Sequence, residues 1–184
     1  MSPNKQEKYD WLFICLESFS RSYYLSHLIN KHLGILDAHS GGLAPHLRIC
    51  NTLTADCSIK WSMVFGMDDE KLHWKKIAKD KAEFKGELLS TVGISDCKYT
   101  EVWKDMKALR DTAVSHFDFT HIGVQVPHFS VPLKCACFAH NYFTKQASLD
   151  GINKEQIDLD EFGRVSAESY FFALKIQEFI NFDI

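Results

Sequence analysis

The sequence predicts an all-α fold, a bundle of about five to six helices forming a single domain over residues 1–184. Three observations predict it. Apolar residues recur at helical spacing in segment after segment, and alternation of the strand kind is confined to one short stretch. A length of 184 residues suits one compact domain that buries a real core without staples. Hydrophobic content of 46% and aromatic content of 13% mark a globular chain, with no repeats or low-complexity tracts.

The first helix is expected from about Tyr9 to about Leu36, with Trp11, Ile14, Leu25, Ile29, Leu33 and Leu36 on one inward stripe. Ser18 and Ser22 interrupt that stripe and leave room for a neighbouring helix to approach closely. "HSGGLAP", His39 to Pro45, then breaks the chain. A second helix follows to about Phe65, with Leu43, Leu47, Cys50, Thr54, Cys57, Trp61 and Phe65 on one face and Gly66 placed to end it. Asp68, Asp69 and Glu70 put negative charge where a third helix would start. Its inward stripe is Trp74, Ile77, Phe84 and Leu88. A fourth helix is expected over roughly Lys98 to His116. "THIGVQVPHFSVP" alternates and carries prolines, which predicts a short extended piece. Two further helices are expected near Val131–Ala147 and Val165–Ile180.

Composition removes several function classes. A net charge of −3 is close to balance, so any anion site must be local. The N-terminal apolar run is short, interrupted by Glu17 and preceded by charges of both signs, unlike a signal peptide. No stretch approaches the roughly 18 apolar residues that would span a bilayer. The expectation is a soluble, cytoplasmic protein that needs no cofactor. Six cysteines at scattered spacing read as free, mostly buried thiols. "CAC" at Cys135–Cys137, near His128 and His140, lacks a second pair of ligands, and on a helix the two thiols point to opposite sides. No metal site is expected. Asp158, Asp160 and Gly163 imitate a calcium loop, but Phe162 occupies a ligand position and Ser169 stands where the bidentate glutamate belongs. Ser115 lacks the G-x-S-x-G elbow, and "HSGGLAPH" lacks the lysine of a phosphate loop.

The informative stretch is "KALRDTAVSHFDF", Lys107 to Phe119. With Tyr99 at 0°, Val102, Met106, Leu109, Ala113 and Phe117 fall between about 280° and 360°, and Trp103 at about 40°. Arg110 falls at about 20°, on the apolar side, and His116 at about 260°; the two flank one face. A buried guanidinium needs an anionic or carbonyl partner, since leaving it unpaired costs several kcal/mol. Two readings of Arg110 stay open on pattern alone. It snorkels into a salt bridge with Asp111, Asp118 or a helix end, or it lines a groove that receives an anionic ligand. The residue types define the chemistry of the second reading. Imidazole takes and returns protons at neutral pH. A guanidinium fork suits phosphate oxygens and charge developing on them. Together they suffice for metal-independent RNA cleavage by 2′-hydroxyl attack.

"RDTAVSH" resembles the R-x4–6-H signature of HEPN domains, with a polar residue directly after the arginine. The upstream "CSIKWSMVFGMDDEKLHWKKI", Cys57 to Ile77, is similar to the W-x3-FG and HW-K elements of the AbiU-type abortive-infection branch of that superfamily. The resemblance covers roughly Ala55 to Asp118. It implies a HEPN-like helical bundle, usually a homodimer with a composite cleft between facing motif helices. It also implies a metal-independent endoribonuclease of phage defence or of a toxin–antitoxin system, with an antitoxin or defence-system partner. By position, Arg110 and His116 are the catalytic pair, Asp111 the assisting polar residue and Asp118 an accessory at most. Silencing by nucleotidyl transfer to a tyrosine after the histidine is not supported, because Phe117, Asp118 and Phe119 follow. Some members of the superfamily bind partner proteins or nucleotides without cutting, which is the alternative function.

"KLHWKKIAKDKAEFK", Lys71 to Lys85, holds six lysines against Asp80 and Glu83, a local excess of 6 − 2 = +4. Lys75, Lys76 and Lys79 are placed opposite the Trp74 stripe. They are candidates to track an RNA backbone, against the plainer reading of a solvated lysine face.

Overall fold

Four of the helices begin at a side chain, Asn4, Asp80, Ser95 or Asp158, that accepts from a backbone N–H of the first turn. The structure is a computed structural model that describes residues 4–37, 45–115 and 127–181. Helix α1, Lys5–Asp37, starts at a reciprocal capping box: Glu7 N–H donates to Asn4 Oδ1 and Asn4 N–H to the Glu7 carboxylate, both at 2.8 Å. Helix α2, Pro45–Phe65, opens on a proline, whose missing N–H costs nothing in a first turn. Helix α3 is Lys81–Val92, and Gly93, at φ 74°, ends it in the left-handed region. Helices α4, Asp96–Ser115, and α5, Ser130–Leu149, follow. Helix α6 is Leu159–Asn181, with Asp158 Oδ1 accepting from the N–H groups of Asp160 and Glu161. Capping accounts for the Asp158 carboxylate of the calcium-loop imitation, and the Asp160 carboxylate accepts from the Tyr24 hydroxyl. The fold is an all-α bundle of six helices, with no strand among the described residues.

Helix α1 is the central strut, packed along α2 and α6 with α5 against it, while α4 lies on α2 and α3 on α5. Its core face is Tyr9, Leu12, Phe13, Leu16 and Phe19. The expected stripe is therefore corrected over the first half: Trp11 is 55% exposed and Ile14 46%. Ile29 is buried as expected, but with Cys50 and Phe171 in a separate cluster. A 33-residue helix outlasts any one neighbour, so the buried face changes as its partners change. Close approach falls at Ser22, as expected, and at Ser20. Ser22 Oγ donates to Asp56 on α2, and the tightest contact is Ser20 on Gly163 of α6. A Cβ at Gly163 would lie 2.0 Å from Ser20 Oγ. The glycine is what lets the two backbones meet.

The third helix is also corrected. Residues 67–80 form turns and a three-residue 3-10 segment, Trp74–Lys76, so Asp68, Asp69 and Glu70 do not head a helix. His73 is the reason in part, because its side chain accepts from Lys75 N–H at 3.2 Å and so competes with helix hydrogen bonding. The true start is Asp80, which accepts from Glu83 N–H at 2.9 Å. Trp74, Phe84 and Leu88 are buried as expected, the first from the 3-10 segment and the others from α3. The extended piece lies mostly outside the described residues. Its end is helical, since Pro132 sits in the first turn of α5, where its missing N–H has no helical acceptor to lose.

One polar node holds the 67–80 segment to the bundle. Gln146 of α5 donates to Ile77 O at 2.9 Å and to Tyr9 Oη at 2.7 Å, and accepts from Lys79 N–H at 3.0 Å. Tyr9 donates on to Asp150, which Lys5 and Lys79 also reach, at 2.7 and 2.6 Å. Hydrogen bonds from Lys5, Lys79 and Tyr9, together with the lysine charge, hold the Asp150 carboxyl well below the usual carboxylate range. A depressed carboxylate stabilises the fold above its unfolded pKa, about 3.9, and that contribution fades as pH falls below it. In urea unfolding, wild type is expected to lose stability more steeply than Asp150→Asn between about pH 5 and 2. Equal slopes for the two proteins would refute the node as a source of acid sensitivity.

Candidate active site

The two sequence elements of the motif meet where α4 crosses the end of α2. Gly66 N–H donates to Ser62 O at 2.8 Å, and a Cβ there would lie 2.3 Å from that carbonyl, so the chain turns on a residue without a side chain. Trp103 of α4 donates its indole N–H to Gly66 O at 3.0 Å. This bond and the burial of Tyr99, Val102, Met106 and Leu109 seat α4 with its apolar face inward, as the helical angles require.

Arg110 emerges at the edge of that face with 20% of its side chain exposed. Its Nε and Nη2 both donate to Asp111 Oδ1, at 3.0 and 2.7 Å. Its Nη1 lies 3.7 Å from Glu70 Oε1, an ion pair too long for a hydrogen bond. Lys107 binds the other Asp111 oxygen. Hydrogen bonds from Lys107 and Arg110 hold the Asp111 carboxyl below its ordinary value, so it stays ionised wherever a histidine titrates. The guanidinium is therefore oriented by its neighbour in sequence and balanced by a residue forty positions upstream. Intramolecular pairing of this kind is what the plain salt-bridge reading of Arg110 expects. His116, Phe117 and Asp118 lie outside the described residues.

The lysines take other places than a helix face. Lys75 Nζ donates to both oxygens of Asp68 at 2.9 Å, Lys76 Nζ to Asp69 O at 2.7 Å, and Lys79 Nζ pairs with Asp150. All three are exposed, and each has an acidic or carbonyl partner. They sit on the segment that carries Glu70, the residue facing Arg110. Burial pushes the His73 imidazole below its ordinary pKa, and as the neutral ring it accepts from Lys75 N–H.

Glu70, which pairs with Arg110, and Trp103, which binds Gly66 O, are neighbours of the motif whose contacts the sequence reading did not assign. Trp103 was within reach of it, being seven residues before Arg110 on the same stripe. Glu70 was not, since only the turn at 66–73 brings it to α4. Burial keeps Cys135 and Cys137 protonated by pushing both thiols up to about 12. Among the described residues, no group of three or more His, Cys, Asp or Glu is placed to hold a metal ion, and no helix is long and apolar enough to cross a membrane. Compared with known proteins, the chain matches no protein-family model, no curated protein and no solved structure.

Proposed function

We propose that this protein is a metal-independent endoribonuclease of the HEPN type that acts as a homodimer in phage defence or in a toxin–antitoxin pair. The observation that carries the reading is Arg110. It is a half-buried guanidinium on the rim of an apolar helix face, held in one orientation by the adjacent carboxylate. Held so, it meets a phosphate without first losing side-chain freedom, and charge building on the phosphate oxygens strengthens the contact. His116 would serve as the general acid and base, and Asp111 would orient Arg110. A second reading is a non-catalytic HEPN module that binds a partner protein or a nucleotide; the pairing of Arg110 with Glu70 and Asp111 in its own chain supports a third, a helical structural domain in which Arg110 is an ion pair alone.

A mixed RNA pool incubated with the protein and a chelator separates the first two. The nuclease reading expects chelator-resistant cleavage with 2′,3′-cyclic phosphate ends, by a species whose mass is that of a dimer. A folded dimer that leaves the pool intact would favour the binding module.

A further inference from the structure

The molecule has a hollow of about 630 Å³ between the turn after α2, the 3-10 segment and the first half of α4. Its walls include Phe65, Trp74, Tyr99 and Trp103, and its polar rim carries two ion-paired lysines. Lys75 is bound by Asp68, and Lys85 by Asp96 at 2.9 Å while its ammonium lies 3.4 Å from the centre of the Tyr99 ring. With each cation matched by a carboxylate, the hollow has no surplus charge to offer a phosphate. It offers flat apolar walls with acceptors and donors at the edge, which suits a neutral, planar ring bearing N–H and C=O groups. Tyr99 lines the hollow with its ring, while its hydroxyl is buried out of reach of solvent.

The position of the hollow ties it to Arg110. Trp103 and Arg110 are seven residues apart on α4, two turns along the same face, a rise of about 10.5 Å. A phosphate at Arg110 and a ring against Trp103 are thus within the span of neighbouring nucleotides on one strand.

We propose that this hollow is a nucleobase subsite, which receives an unstacked base of single-stranded RNA near the phosphate held by Arg110. The choice of ligand rests on the ribonuclease reading given above. Carboxylates at Asp68 and Asp96 accept from exocyclic amino or ring N–H groups, Lys75 and Lys85 donate to ring carbonyls, and Trp103 packs against the ring face. The subsite would set which nucleotide flanks the cleaved bond.

Binding can be read without cleavage. Indole N–H resonances of the four tryptophans are followed by NMR while adenosine, guanosine, cytidine or uridine is added, with inorganic phosphate as the control. At least one nucleoside is expected to shift the Trp103 and Trp74 signals and to leave exposed Trp11 and buried Trp61 in place. Thr100→Phe, a substitution at an exposed residue on the rim, fills the hollow and weakens that binding about tenfold or more, whereas Arg110→Ala leaves it unchanged. Signals that respond to no nucleoside, or equally to phosphate, overturn the subsite even if the protein cuts RNA. Signals that respond in a protein without nuclease activity uphold the subsite and remove the catalytic reading alone.

Discussion

Arg110→Ala is expected to lower chelator-resistant RNA cleavage by about 10²- to 10³-fold while leaving the protein folded. One side chain would fill two separable roles. As a structural ion pair, Arg110 is partly exposed and joined to carboxylates that water also reaches, so its loss costs roughly 1 kcal/mol or less. As the group that meets developing phosphate charge, its removal deletes a pre-oriented donor fork whose effect falls almost wholly on the transition state. Arg110→Lys keeps the charge and loses the fork, and is expected to recover little of the rate. His116→Ala is expected to fall within about the same range, since a positioned acid–base group contributes 10²–10⁴-fold. Cleavage by Arg110→Ala at the wild-type rate would end the proposed assignment. A parallel loss of activity and of unfolding free energy would return Arg110 to a structural role.

Phe84→Ala should destabilise the fold by about 3–5 kcal/mol, measured as a fall in the urea midpoint with unchanged slope. Phe84 is fully buried and is the hub of an aromatic cluster. Its ring stacks on Trp74 at 4.7 Å between centroids and on Phe143 at 5.3 Å, and meets Phe138 and Tyr142 edge-on. Four large rings around one site cannot all move in to fill the void, so the cavity term adds to the lost burial. Trp74 anchors the 3-10 segment and stacks on Phe84, so the folded variant should show a weaker near-UV aromatic signal than wild type at an unchanged far-UV helix signal. A loss under about 1 kcal/mol would show that the site collapses freely and is not the hub of the core.

Period and punctuation carried much of this fold. The face of α2 and the inward side of α4 were legible because a regular helix repeats its geometry, so residue spacing alone assigns sides. Arg110 stood out for the same reason, as a charge at an angle where its neighbours are apolar. Where the backbone stops repeating, that logic fails. The pattern from Trp74 through Leu88 reads as one helix because a 3-10 segment and a following helix both bury their apolar residues. The Asp80–Glu83 cap that divides them is a short signal against a long stripe. The α1 stripe failed differently. Trp11 and Ile14 have the right spacing, but the neighbours that would cover them lie elsewhere.

By itself, then, the sequence determined the helical class, most of the helix limits, and the singular position of Arg110 on its face. These follow from local rules, propensity, capping and period, that act within a few residues. Only the tertiary structure decided which apolar faces find a partner, that Glu70 balances Arg110, and that Trp74, Tyr99 and Trp103 line one hollow. Those are meetings of residues 25 to 40 positions apart across a turn, and they depend on how a chain packs after its helices exist. No spacing rule within a single helix encodes them.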